Sequence, residues 1–147
     1  SPILIKEYEN RWYVIGVTNA NEIRTFGLDR ISNLQSGGKI TIHKNNYLDK
    51  LKKFNDVVGV HYGEEEPIKV SILVDELHVK YMKSLPLHHS QVIHPNNNGR
   101  HQVDFCLIPN YEFKTQILKI GAEAEVIEPN WLRNEIRDML VKTLEKY

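Results

Sequence analysis

Residues 9–34, ENRWYVIGVTNANEIRTFGLDRISNL, constrain this chain more than any other stretch. Residues 11–18 (RWYVIGVT) are aromatic and β-branched, residues 19–21 are turn formers, and residues 22–28 run extended again. Trp12, Val14, Arg24, Phe26 and Leu28 alternate with Arg11, Tyr13, Ile15, Ile23 and Thr25. A period of two places a mixed aromatic and basic set on one or both faces of a small curved sheet.

The flanking sequence extends that sheet. Residues 2–8 (PILIKEY) read as a strand, with a turn at Glu9-Asn10. After the Ser36-Gly37-Gly38 turn, residues 39–43 (KITIH) read as a strand with Ile40 and Ile42 alternating. Residues 47–54 (YLDKLKKF) have a short helical pattern, and residues 56–62 (DVVGVHY) read as extended with Gly59 as a bulge. Several short strands and one small helix in so few residues fit a small curled barrel. Gly63, the acidic run 64–66 and Pro67 then mark a boundary, the glutamates reading as a solvated linker.

Beyond it the pattern changes. A strand over residues 68–74 leads to a helix at 76–84 capped by Asp75, and strands follow at 89–94 and 101–108. A helix at 111–120 stops at Gly121, before a strand at 122–127. Strand, helix, strand, strand, helix, strand is the ferredoxin-like order. Asn130 can cap a last helix with Leu132, Ile136, Met139, Leu140, Thr143, Leu144 and Tyr147 on one stripe. The expected fold class is therefore α+β, a barrel over 1–63 and a ferredoxin-like domain over 64–147.

Trp12-Tyr13-Val14, followed by Arg24-Thr25-Phe26-Gly27-Leu28-Asp29-Arg30-Ile31, resembles the WYL domain of bacterial transcriptional regulators. Val14 stands in place of that family's Leu, and Gly27 where it often has an Arg. Downstream, His88-His89-Ser90-Gln91 and residues 121–129 (GAEAEVIEP) resemble segments of the module that commonly follows the WYL domain. The resemblance implies an Sm-like barrel, here without its first strand, and a sensor for ligands derived from nucleic acid. It also implies a preceding winged helix-turn-helix for operator DNA. No segment here matches that module, so the expectation is a piece of a longer regulator, ahead of a stand-alone sensor, acting as a homodimer.

Charge gives that expectation no support of its own. Lysine and arginine together number 19, as do aspartate and glutamate, which gives no support to bulk duplex binding and leaves room for a local basic site. Guanidinium groups bind phosphate and aromatic faces stack bases, so Arg30, Arg24, Tyr13, Arg11 and Trp12, in that order, are the candidate ligand contacts. The plainer alternative is that Trp12, Phe26 and Leu28 are core while Arg24 and Arg30 are solvated or paired with Glu22 and Asp29. Gly27 and the zero net charge favour a second function class, a dimerisation module without a small ligand.

Other chemistries find little footing. His88, His89, His94 and His101 are irregularly spaced, and no metal or cofactor is expected. Cys106, between Phe105 and Leu107, reads as a buried inert thiol, and no nucleophile–base motif suggests an enzyme. A single cysteine suits a reducing compartment, the cytoplasm, and no apolar run is long enough to cross a bilayer.

Overall fold

Glu9 and Asn10 both adopt left-handed backbone angles, φ 50° and 62°, and so close a two-residue hairpin between β1 (Pro2–Tyr8) and β2 (Arg11–Val17). That conformation is uncommon at a residue such as Glu9. A second antiparallel pairing, Tyr13 opposite Gly27 through Val17 opposite Ile23, adds β3 (Ile23–Gly27). The computed structural model describes residues 1–35, 37–38, 47–61, 63, 65–95 and 98–147. Among these, the first region is an open three-stranded sheet, β1-β2-β3, followed by the short helix α1 (Leu48–Lys52). The strand expected over 39–43 lies outside the described residues.

The expected extended segment at 56–62 does not form over its described part. Val57 makes a single parallel bridge to Ile108, and the chain then turns at Gly59, φ 74°. A Cβ at Gly59 would meet Glu112 Cγ at 2.8 Å, so glycine here permits both the backbone angle and the close approach. The β-branched run looked like a strand, but its amide groups turn towards a side chain.

The second region is β4 (Ile68–Asp75), α2 (Glu76–Ser84), β5 (Val92–His94), β6 (Arg100–Leu107), α3 (Tyr111–Ile120), β7 (Ala124–Glu128) and α4 (Asn130–Leu144). Its four strands are ordered β5-β6-β4-β7, all pairings antiparallel. Alternation buries Val70, Ile72 and Val74 of β4 with Val103, Phe105 and Leu107 of β6. Val79 and Met82 of α2, Phe113 and Ile117 of α3, and Leu132 and Ile136 of α4 complete this core. Asp75 caps α2, its carboxylate accepting from the His78 amide at 2.9 Å. The architecture is thus mixed α+β, two antiparallel sheets with helices.

Two further sequence expectations need correction. Cys106 is exposed, because the inward turn of Phe105 and Leu107 sends the residue between them outward. Asn130 does not cap α4; Pro129 takes that position, with no side-chain cap bond. The apolar stripe on α4 meets the core through Leu132, Ile136 and Met139, whereas Leu140 is 50% exposed and Leu144 74%.

Candidate functional site

α3 joins the two regions through one polar row. Glu112, Gln116 and Lys119 recur at helical spacing beside the buried Phe113 and Ile117, Glu112 itself being buried. Gln116 Nε2 donates to the Tyr8 hydroxyl (2.8 Å) and to Glu9 (3.1 Å), and Lys119 pairs with Glu9. Lys119, with help from Gln116, holds the Glu9 carboxyl below its ordinary range. The hairpin turn that carries the left-handed Glu9 is therefore tied to α3.

Asn110 makes the second tie. Its Oδ1 caps α3 by accepting from the Phe113 amide (3.0 Å), while its Nδ2 donates to the carbonyls of Val58 (2.7 Å) and His61 (3.2 Å). The loop so held turns its amides onto Glu112. Oε1 accepts from the Val60 amide (3.3 Å) and the His61 amide (3.0 Å), and lies 2.6 Å from His61 Nδ1. Oε2 of the same carboxylate is buried and has no partner among the described residues. Lys6 is close enough for Glu112 to raise its pKa, but burial dominates and draws the Lys6 pKa down.

Between α3 and the first sheet lies an open cavity of about 530 Å³. Tyr13, Arg24, Gly27 and Arg30 line it from the sheet side, Tyr111, Glu112 and Thr115 from α3, and His61 from the loop. Its volume is within the range of small-molecule sites. Arg30, in the 3-10 turn after β3, is exposed, and its side chain makes no hydrogen bond or ion pair with a described residue. Arg24 is engaged by Glu22, at 3.2 Å through Nε and 2.7 Å through the terminal nitrogen. Gly27, opposite Tyr13, has an ordinary extended backbone, and its lack of a side chain makes room for the Asp29 carboxylate, whose Oδ1 a Cβ there would meet at 2.5 Å.

The structure thus brings Arg30, Arg24 and Tyr13 together and leaves Arg11 and Trp12 off the lining. Trp12 is 55% exposed on the opposite face, with Phe26 at 48%, so neither is core. The plainer alternative holds for Arg24 in its pairing with Glu22, and the exposed Arg30 fits its solvated form. Sequence reasoning missed Glu112, His61 and Tyr111; the available signal was a polar row on an otherwise amphipathic helix.

The histidines find ordinary partners. His88 and His89 both reach the Asn55 carbonyl, His94 pairs with Asp104 and His101 with Glu76. Among the described residues no three potential ligands converge to hold a metal, and no helix is long and apolar enough to cross a membrane.

Residues 66–144, more than half of the chain, match the family model of the WCX domain. The chain belongs to the WCX-domain family. Ahead of the WCX match, residues 1–36 match the WYL domain, in agreement with the resemblance carried by residues 12–31. The two matches give the chain a WYL domain followed by a WCX domain. No curated protein matches it. Among solved structures it is similar to proteasome accessory factor B/C (PafBC) of Arthrobacter aurescens, at 16% identity and a TM-score of 0.46, over 99% of this chain and 22% of that one.

Proposed function

We propose that this chain is the effector-sensing and dimerisation region of a bacterial transcriptional regulator, and that its effector is nucleotide-like or single-stranded nucleic acid. The observation that carries the reading is Arg30, an uncompensated guanidinium on a cavity walled by Tyr13 and Tyr111. A cation beside aromatic faces suits a phosphate joined to a base. Residues 1–63 act as the Sm-like, WYL-type unit and 64–147 as the ferredoxin-like unit, the latter supported by the β5-β6-β4-β7 order. Operator DNA is contacted by a winged helix-turn-helix elsewhere in the full regulator, a cytoplasmic homodimer with no enzymatic activity. Effector binding shifts the regulator only through different affinity for two arrangements; a site shared by both units provides a means.

The test is fluorescence anisotropy of short labelled single-stranded DNA and RNA at low and moderate salt. Binding should weaken as salt rises and disappear in Arg30→Ala. Salt-independent binding, or binding unchanged in a folded Arg30→Ala protein, contradicts the role of Arg30. The second reading, a dimerisation module without a small ligand, is favoured by the exposed apolar row Leu140, Leu144 and Tyr147 on and beyond α4. It predicts a stable dimer and no oligonucleotide binding.

A further inference from the structure

The His61 ring is held by two residues of α3. Its Nδ1 lies 2.6 Å from Glu112 Oε1, and it packs edge-on to the Tyr111 ring at 6.4 Å. Glu112 and Tyr111 both line the cavity that holds Arg30, as His61 does. Asn110, which donates to the His61 carbonyl, lines the neighbouring cavity instead. The backbone of this residue therefore faces one cavity and its ring stands at the wall of the other. Oε1 already accepts from the Val60 and His61 amides, so the proton shared with the ring sits on Nδ1. That fixes the tautomer and leaves Nε2 as the open nitrogen. The side chain is 71% exposed, and Nε2 has no partner among the described residues.

We propose that His61 is a second anion-binding residue of the Arg30 cavity, taking up a proton at Nε2 when a phosphate group of the ligand enters. This inference rests on the nucleotide reading above and adds a contact and its pH dependence. A neutral Nε2 is an acceptor and repels phosphate oxygens. The protonated ring donates to them, and its bond to Glu112 becomes an ion pair. Most other charged groups facing His61 already have partners. Glu9 pairs with Lys119 and Arg24 with Glu22 around the Arg30 cavity, and Lys114 pairs with Glu135 and Glu66 with Lys53 around the neighbouring one. Lys6, near Glu112, donates to the Phe54 carbonyl. Arg30 and the exposed Glu65 remain, with Tyr8, Tyr13 and Tyr111 as the other titratable groups. Histidine is the side chain that ordinarily changes charge between about pH 5 and 8. Arg30 lies within the WYL match and Glu112, which positions His61, within the WCX match, so the ligand answers to both regions.

The test is fluorescence anisotropy of a labelled oligothymidylate with the whole chain at low salt, from about pH 8 down to about pH 6. The phosphodiesters and bases of this probe keep their charge throughout that range. One linked proton predicts binding about tenfold tighter at the acidic end. His61→Gln, a change at an exposed side chain, should flatten the profile and leave binding sensitive to salt. Glu112→Gln should move the rise to lower pH, because the protonated ring loses its ion pair; a merely structural role would leave the position of the rise unchanged. Calorimetric titration of the unmodified chain in two buffers of unlike ionisation enthalpy should show proton uptake, and needs no variant to fold. A flat profile or no proton uptake, with binding still lost in Arg30→Ala, overturns the role of His61 and leaves the nucleotide reading standing. An unchanged profile in a folded His61→Gln protein overturns it too. Absence of binding at every pH overturns it, and if the other oligonucleotides also fail to bind, the nucleotide reading falls with it.

Discussion

The two sheets of this molecule are built to different standards. The four-stranded sheet buries Val70, Ile72, Val74, Val103, Phe105 and Leu107 beneath helices that add Phe113, Ile117 and Leu132. The three-stranded sheet contributes only Ile3 and Ile15 as buried side chains, packed on Phe54, Val57 and Ile108. Ile108 follows β6, so even this thin core borrows from its neighbour. Ile5, Trp12 and Phe26 meanwhile remain 58%, 55% and 48% exposed. Apolar area removed from water drives folding, so stability resides mainly in the second region. The first region leans on it, and the polar chemistry gathers along the line of contact.

The contrast can be broken first at Phe105, which is 2% exposed and packs edge-on to Phe113 at 5.4 Å. Phe105→Ala should cost about 3–5 kcal/mol in urea unfolding, whereas Trp12→Ala should cost under about 1 kcal/mol. Equal costs would erase the distinction between the sheets. Next comes Asn110, which serves both a helix and the contact line. Asn110→Ala should cost roughly 2–3 kcal/mol, from one cap and two carbonyl partners. Asn110→Asp keeps the cap but faces the Val58 and His61 carbonyls with another acceptor; a neutral effect there would show that the contact line adds nothing.

A smaller effect sits at His88, buried with its Nε2 at the Asn55 carbonyl and its Nδ1 accepting from the Ser90 amide. Burial lowers its pKa, so the unfolded chain takes up the proton more readily. The stability it contributes is fully present above the ordinary histidine range and is lost as pH falls through that range towards the lowered folded value. Melting temperatures of the unmodified chain and His88→Gln should therefore converge as pH drops from about 7.5 to 5.5. Divergence on acidification would reverse the sign and refute the assignment. The smallest effect belongs to the exposed Glu9–Lys119 pair, where Glu9→Gln should cost about 0.2–1 kcal/mol, shrinking in high salt.

Local signals explain why parts of this molecule can be read from its residues. Asp75 before α2 and Gly121 after α3 mark helix ends by chemistry confined to a few residues. Residues 56–61 mislead because Val57, Val58 and Val60 have strand chemistry, while the turn at Gly59 is set by Glu112, far away in the chain. Cys106 misleads because hydrophobic neighbours suggest burial, whereas alternation decides which face it takes. Arg30 is visible in a motif and the cap that Asn110 gives α3 is local, but Glu112 and the second role of Asn110 depend on partners some fifty positions away, which no local window contains.

The central claim is that one ligand is held by both regions at their contact line. Amide chemical-shift mapping of the isotope-labelled chain with AMP tests it most directly. The account predicts perturbations on both sides of the cavity, at Tyr13, Gly27 and Arg30 and at Val60, His61, Glu112 and Thr115. Shifts confined to the outward Trp12 and Phe26 face, or to one region alone, would contradict it.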